Sequence, residues 1–242
     1  MYQNIIGFEK NVAILNHHQA LLGTFFSSLI IQAEYLTVTS NVSEVLDWEY
    51  TLPFNGAVPS HQTNLYTNHH ISTPHFVLKF KDAWLVRSLL SAKENPHSGL
   101  QLVEVKNASD MQIFLEGFSQ AFFPFNHHQA MNYQDALFTS YQTGKSKLHF
   151  FYVLDDNQRL VAVSAIAMVK PYSFSYCIGV LSAFRGKKIS RFLLDHHLSY
   201  AEKAGCQFQV LQTEHGSFVE DIYIKNHFSV FAVMNYYQHI PE

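Results

Sequence analysis

The chain is short of charge. Of its 242 residues 14% are Asp, Glu, Lys or Arg, and the formal net charge is -3, which excludes the broad basic field that holds nucleic acid or an anionic membrane surface. Cysteine is scarce too. Cys177 and Cys206 are the only two, so there is no Cys-x-x-Cys, both thiols are expected to stay reduced, and neither stands in a nucleophile's setting. No apolar run reaches the length of a membrane span, since Ala20 to Ile31 is short and carries Gly23, Thr24, Ser27 and Ser28. The start lacks a signal-peptide pattern, because Glu9 and Lys10 precede an Asn-His-His break. A soluble, cytoplasmic protein is expected.

What is present suits a packed core: 48% of the residues are hydrophobic, and the length allows one large or two small domains. The 15 histidines include the pairs His17-His18, His69-His70, His127-His128 and His196-His197. Neighbours in sequence diverge on a helix or strand, and no His-x-x-x-His carries a Glu in zinc-protease spacing, so no metal is expected.

The pattern is clearest in the C-terminal three-fifths. Residues 101–106 alternate as a strand, Ser109 and Gln112 make a capping box for a helix toward Phe122, and a second helix covers Tyr133 to Tyr141. Leu148 to Leu154 and Leu160 to Val169 read as a hairpin around Asp155-Asp156-Asn157, followed by a strand at 174–180. The next helix puts Ile189, Phe192, Leu193, His196, Tyr200 and Ala204 on its packed face and ends at Gly205. A strand at 207–213, a helix capped by Ser217 and running through Asn226, and a strand from Val230 to Tyr237 complete the order β-α-α-β-β-β-α-β-α-β. The fold class is α/β (α+β): a mixed, mostly antiparallel sheet flanked by helices. Upstream, 17–33 looks helical, Tyr35 to Thr39 and Phe76 to Phe80 look like strands, and 53–75 is loop-rich with a turn at Pro53-Phe54-Asn55-Gly56. Ser91 to Gly99 is the candidate linker, dividing a smaller α/β region at 1–98 from a domain at 99–242.

Chemistry concentrates at Val180-Leu181-Ser182-Ala183-Phe184-Arg185-Gly186-Lys187-Lys188-Ile189-Ser190, where a strand runs into a basic turn that opens a helix. Unpaired N–H groups at a helix start, with the positive end of its dipole, make a site for a diphosphate. The stretch resembles the acyl-CoA-binding motif of the GNAT N-acetyltransferase superfamily. Val180, Phe184, Arg185, Gly186, Lys187 and Ile189 fit, Ser190 takes the small-residue position, Ser182 replaces a Pro, and Lys188 stands where Gly is usual. A lysine there is expected to need helical dihedrals. Downstream, Tyr223-Ile-Lys-Asn-His-Phe228 resembles the family's Tyr-x-x-x-Gly-Phe signature, with His227 for Gly. The N-terminal region resembles the degenerate first half of two-part members.

The resemblance implies acetyl-CoA as co-substrate and a small-molecule or peptide amine as acceptor, joined by direct attack on the thioester. It leaves room for a homodimer. Backbone groups near Ile178 and Val180 would hold the pantetheine arm, residues 185–190 the diphosphate, and Tyr223 would serve the departing thiolate as acid. No Asp or Glu lies between Asp156 and Asp195, so the usual strand-borne base is missing. Glu214 and His215 are substitutes, or an amine of low pKa needs none. Phe114, Phe118, Phe122, Phe123 and Phe125 serve either the core or an acceptor pocket, with Phe123-Pro124-Phe125 the stretch set apart for the acceptor. The competing reading is a non-catalytic relative that keeps the fold as a CoA-binding or interaction module.

Overall fold

The computed structural model describes residues 9–31, 35–40, 50–53, 64–72, 75–89 and 99–240. In chain order its elements are α1 (Lys10–Leu21), β1 (Phe26–Ile31), β2 (Tyr35–Ser40), β3 (Tyr50–Pro53), β4 (Leu65–Thr67), β5 (Phe76–Ser88) and β6 (Leu100–Glu104). There follow α2 (Ala108–Phe122), α3 (His127–Gln142), β7 (Leu148–Asp155), β8 (Leu160–Val169), β9 (Tyr172–Val180), α4 (Ile189–Lys203), β10 (Phe208–Glu214), α5 (Phe218–Lys225) and β11 (Ser229–His239). The chain forms two compact units, Met1–Arg87 with Val210–Glu242 and Ser88–Gln209. The division falls inside β10.

In the first unit β1, β2 and β3 pair antiparallel, β3 and β4 parallel, and β11 runs antiparallel to both β4 and β5. The helix expected over 17–33 is instead α1 followed by β1. Leu22 leaves the helix extended, Gly23 takes φ 84, and its N–H bonds Phe26 O at 2.8 Å, so the chain reverses. Residues 26–31 then pair with β2. The strands β3 and β4 fall in the stretch where the sequence showed no regularity. Both are short and buried throughout, so neither displays alternation. The linker residues 91–98 and most of the Pro53 turn lie outside the described residues.

In the second unit β6, β7, β8 and β9 form an antiparallel run. Helix α2 begins at Asn107, whose side chain accepts the Asp110 N–H at 2.9 Å while Asp110 Oδ2 accepts the Lys106 N–H at 3.0 Å. Those two residues, not Ser109 and Gln112, make the reciprocal cap, because Asn accepts as well as Ser and stands two residues earlier. Met111, Phe114, Leu115, Phe118 and Ala121 face the core. A Cβ on Gly117 would stand 2.5 Å from Val163 Cγ1, so this glycine lets α2 lie close on β8. Helix α3 starts six residues before Tyr133, capped by Asn126. The buried face of α4 is rotated from the expected one: Ile189 and Leu193 are on it, but Leu194, His197, Leu198 and Ala201 replace His196, Tyr200 and Ala204. His197 goes inside because both ring nitrogens find serine partners there, Ser164 at 3.0 Å and Ser175 at 2.8 Å.

Candidate active site

The turn from β9 into α4 is exposed except at its anchors. Leu181 is buried and its N–H bonds Val161 O at 3.0 Å; Ile189 is buried at the helix start, within a cluster of Val153, Val161, Ala162 and Leu193. Between them Gly186 takes φ 79 with open space around its Cα, and Lys188, the N-cap, takes φ 61 and ψ 17 with no side-chain cap. Lys188 is therefore left-handed, not right-handed helical as the sequence suggested. That conformation costs a lysine about 1–2 kcal/mol. It also leaves the stem pointing outward: the residue is exposed. Among the described residues the N–H groups of Gly186, Lys187, Lys188, Ile189 and Ser190 meet no backbone carbonyl outside their own helix. The result is a row of donors at a helix N-terminus, the arrangement that takes an anion.

The two named cations beside Lys188 are placed differently. Arg185 turns back, its Nε donating to Val180 O at 3.1 Å and its Nη2 to Ala121 O at 3.3 Å, so it ties the end of β9 to the end of α2. Lys187 Nζ lies 5.2 Å from the centroid of the Phe184 ring.

Strand β9 breaks its ladder just before this turn. Val163 pairs with Gly179 and Ala165 with Tyr176, so Ser164 alone opposes Cys177 and Ile178, and Cys177 takes φ 52. This is a β-bulge, which re-aims backbone groups away from the ladder. It coincides with the Ile178 region expected to hold a pantetheine arm, and no sequence pattern announces it. Burial pushes the Cys177 thiol up to about 12, so it stays protonated. Gly179 follows, where a Cβ would stand 2.6 Å from Phe122 Cε2. Of the phenylalanines singled out, Phe114 and Phe118 are core, while Phe122 and Phe125 are 42% and 96% exposed.

The remaining expected residues belong to the first unit. Tyr223 lies in α5 with its ring 5.9 Å from Phe228, and burial raises its pKa to about 12, so the hydroxyl keeps its proton at any physiological pH. His227 takes φ 66, the left-handed conformation that explains a glycine in the signature it resembles. Glu214 ends β10 and is exposed. His215 is not free: Nδ1 lies 3.1 Å from Glu220 Oε2, which also accepts the Gly216 N–H at 2.5 Å, and its own N–H bonds Lys81 O. It serves the turn before α5.

The sequence missed Asp82, on β5. Its Oδ2 accepts from Tyr66 Oη at 2.9 Å and Gln212 Nε2 at 2.6 Å, and Trp84 Nε1 donates to the same Tyr66 Oη at 2.7 Å. Burial, opposed by those hydrogen bonds and aided by Glu214, lifts its pKa to about 6. The strand read at Phe76 to Phe80 stops short of Asp82, and only its pairing with β4 and β10 residues shows its partners. Among the described residues no three His, Cys, Asp or Glu side chains converge on a metal-sized site, and no helix is long and apolar enough to cross a membrane.

The family model described as "Acetyltransferase (GNAT) family" matches residues 112–218, which run from α2 to the start of α5. A GCN5-related N-acetyltransferase from Kribbella flavida superposes with a TM-score of 0.66 at 10% identity, over 98% of this chain and 97% of that one. A functionally unknown conserved protein from Staphylococcus epidermidis gives 0.70 at 11% identity, over 90% and 96%. A tandem GNAT protein from the clavulanic acid biosynthesis pathway gives 0.56 at 9% identity, over 84% and 78%. No curated protein sequence matches the chain. At such identities the superpositions speak for the fold, and residues 112–218, somewhat under half of the chain, are the part that matches the GNAT family model.

Proposed function

We propose that the protein is an N-acetyltransferase that moves the acetyl group of acetyl-CoA to a primary amine on a small molecule or peptide by direct attack. The amine nitrogen adds to the thioester carbonyl, the C–S bond breaks, one proton leaves the amine and one reaches the thiolate. The observation that carries this reading is the run of N–H groups over Gly186 to Ser190 that meet no backbone carbonyl at the start of α4, directly after a bulged β9. Arg185 supports it by pinning the end of β9 to α2; Lys187 and Lys188 supply charge. An amide freed at the Cys177–Ile178 bulge is the donor suited to polarise the thioester carbonyl, and Val180 follows it on the same strand. Tyr223 is the acid by its match to the signature tyrosine. For the base, Glu214 and His215 remain from the sequence, and Asp82, whose pKa burial and Glu214 raise, joins them as a candidate carboxylate. We take residues 99–242 as the transferase domain and 1–98 as a degenerate copy of the fold.

Titration calorimetry with acetyl-CoA tests the first step, and an absence of binding at millimolar ligand removes it. Thiol release with a panel of amines tests the second: Tyr223→Phe should lower turnover about a hundredfold with little change in coenzyme affinity. Tight binding with no turnover on any amine would instead mark a coenzyme-binding module.

A further inference from the structure

Phe184 closes the short 3-10 turn Ser182–Phe184 just before the diphosphate loop, and it draws two cations to one ring. Arg159 Cζ and Lys187 Nζ each lie 5.2 Å from its centroid. Arg159 arrives from the β7–β8 hairpin, and its guanidinium is held in place: Nε and Nη2 both donate to Asp155 Oδ2, at 2.8 and 2.6 Å. Asp155 is itself fixed by the turn, its Oδ1 accepting the Asn157 and Arg159 N–H groups at 3.0 and 2.9 Å. Nη1 has no acceptor among the described residues, and the side chain is 60% exposed. A planar fork is thus oriented with one edge spent on a carboxylate and the other open. A single cation would satisfy the ring. Phe184 therefore brings a guanidinium with an open edge and an exposed ammonium to one ring, next to the 185–190 loop.

We propose that Arg159 and Lys187 form a second anion subsite beside the 185–190 loop and that it takes the 3′-phosphate of the coenzyme's adenosine. The inference rests on the reading that the loop binds the coenzyme's diphosphate. The coenzyme carries that second anionic group one ribose away, a phosphomonoester close to doubly charged at neutral pH. A guanidinium with a free N–H edge suits such a group, and an ammonium adds a point charge. Asp155 offsets part of the positive charge and in return fixes the plane of the fork. The subsite makes the protein favour coenzyme A over its 3′-dephospho form.

Titration calorimetry with coenzyme A and with dephospho-coenzyme A, on the full chain and its variants, decides this. The unaltered protein should bind coenzyme A about tenfold more tightly than the dephospho form. Arg159→Gln should bring that ratio close to one while leaving the dephospho affinity unchanged, and Lys187→Gln should lower it in part. Arg159→Lys, which keeps charge but loses the fork, should fall between. A ratio near one in the unaltered protein, a ratio that Arg159→Gln leaves intact, or an equal loss for both ligands would overturn the subsite. In each of those results the diphosphate reading stands, because the dephospho form still binds. Failure of both ligands to bind the unaltered protein would overturn the two together. Circular dichroism and thermal melts of each variant separate loss of a contact from loss of fold.

Discussion

Each compact unit holds a network of polar side chains inside its sheet, and the two networks differ in charge and in access. In the second unit Ser164, His197, Ser175, Gln209 and Ser173 form one chain across β8, α4, β9 and β10, with every member buried. It closes with the His197 proton on Nε2: His197 donates to Ser164, Ser175 donates to Nδ1, Gln209 Nε2 donates to Ser175 and Ser173 donates to Gln209 Oε1. No member is charged. In the first unit Trp84, Tyr66 and Gln212 converge on Asp82, a carboxylate only partly withdrawn from solvent. A sealed neutral chain fixes register, here that of β9 two residues before its bulge. An open chain ending in a group that titrates near neutrality offers a place to put a proton.

Acid should destabilise both units through their buried histidines, by the largest margin available. Burial lowers His197 to about 3 and His18 to about 4, and burial together with His18 lowers His17 well below 6.5. A lowered folded pKa means that below 6.5 the unfolded chain binds more protons, so stability is full above 6.5 and lost as pH falls toward 4. The full linkage amounts to about 5 kcal/mol for His197 and about 3 kcal/mol for His18. Urea titrations at pH 7.5, 6 and 5 should show the midpoint falling steeply. His197→Gln, which keeps a donor and an acceptor without a proton site, should flatten that slope; a variant profile parallel to the original would contradict the buried neutral histidine.

Asp82 should respond with the opposite sign. Its folded pKa of about 6 is raised from 3.8, so between those values the folded state binds the extra proton and stability declines as pH rises through 6. Asp82→Asn keeps an acceptor for Tyr66 and Gln212 and removes the charge. It should stabilise the protein at pH 7.5 by about 2 kcal/mol, with the gain gone at pH 4. If Asp82 takes the amine's proton, the same variant should turn over more slowly while melting higher, a pairing that a purely structural carboxylate would not give.

The contrast between the units also shows what could be read from sequence. In the second unit each helix has one apolar face, α2 and α3 carry asparagine caps, and the β7–β8 hairpin is announced by Asp155-Asp156-Asn157, so element order and most boundaries were legible. In the first unit α1 buries Ala13, Ile14, His17, His18, Ala20 and Leu21, positions that do not mark out one apolar stripe, and β3 and β4 are too short to show a period. Periodic reading therefore carried a helix through Gly23. The turn at 185–190 could be singled out because its glycine and cations are contiguous in sequence. The bulge at Cys177, the turning back of Arg185, the approach of Arg159 to Phe184 and the partners of Asp82 are properties of register or of pairing between distant segments, and local pattern does not encode them.

The smallest expected effect is also where the two units should agree. Lys188 at the start of α4 and His227 after α5 both occupy the left-handed region, both are exposed, and both stand where the family pattern has glycine. Neither side chain is buried, so replacement should report backbone strain with little packing loss. Glycine removes about 1–2 kcal/mol of left-handed strain and gives back about 0.5–1 kcal/mol through the greater freedom of the unfolded chain. Lys188→Gly and His227→Gly should each stabilise by about 0.5 kcal/mol, and the two gains should add, since each relieves strain in its own stretch of backbone. Denaturant titration of the single and double variants measures this. The ligand response should differ even so: Lys188→Gly removes a cation from the proposed coenzyme loop and should weaken coenzyme binding modestly, whereas His227→Gly should leave it unchanged. A loss of stability on Lys188→Gly would mean that the lysine stem makes a contact worth more than the strain it carries, and the loop would then owe its shape to that side chain instead of to its backbone.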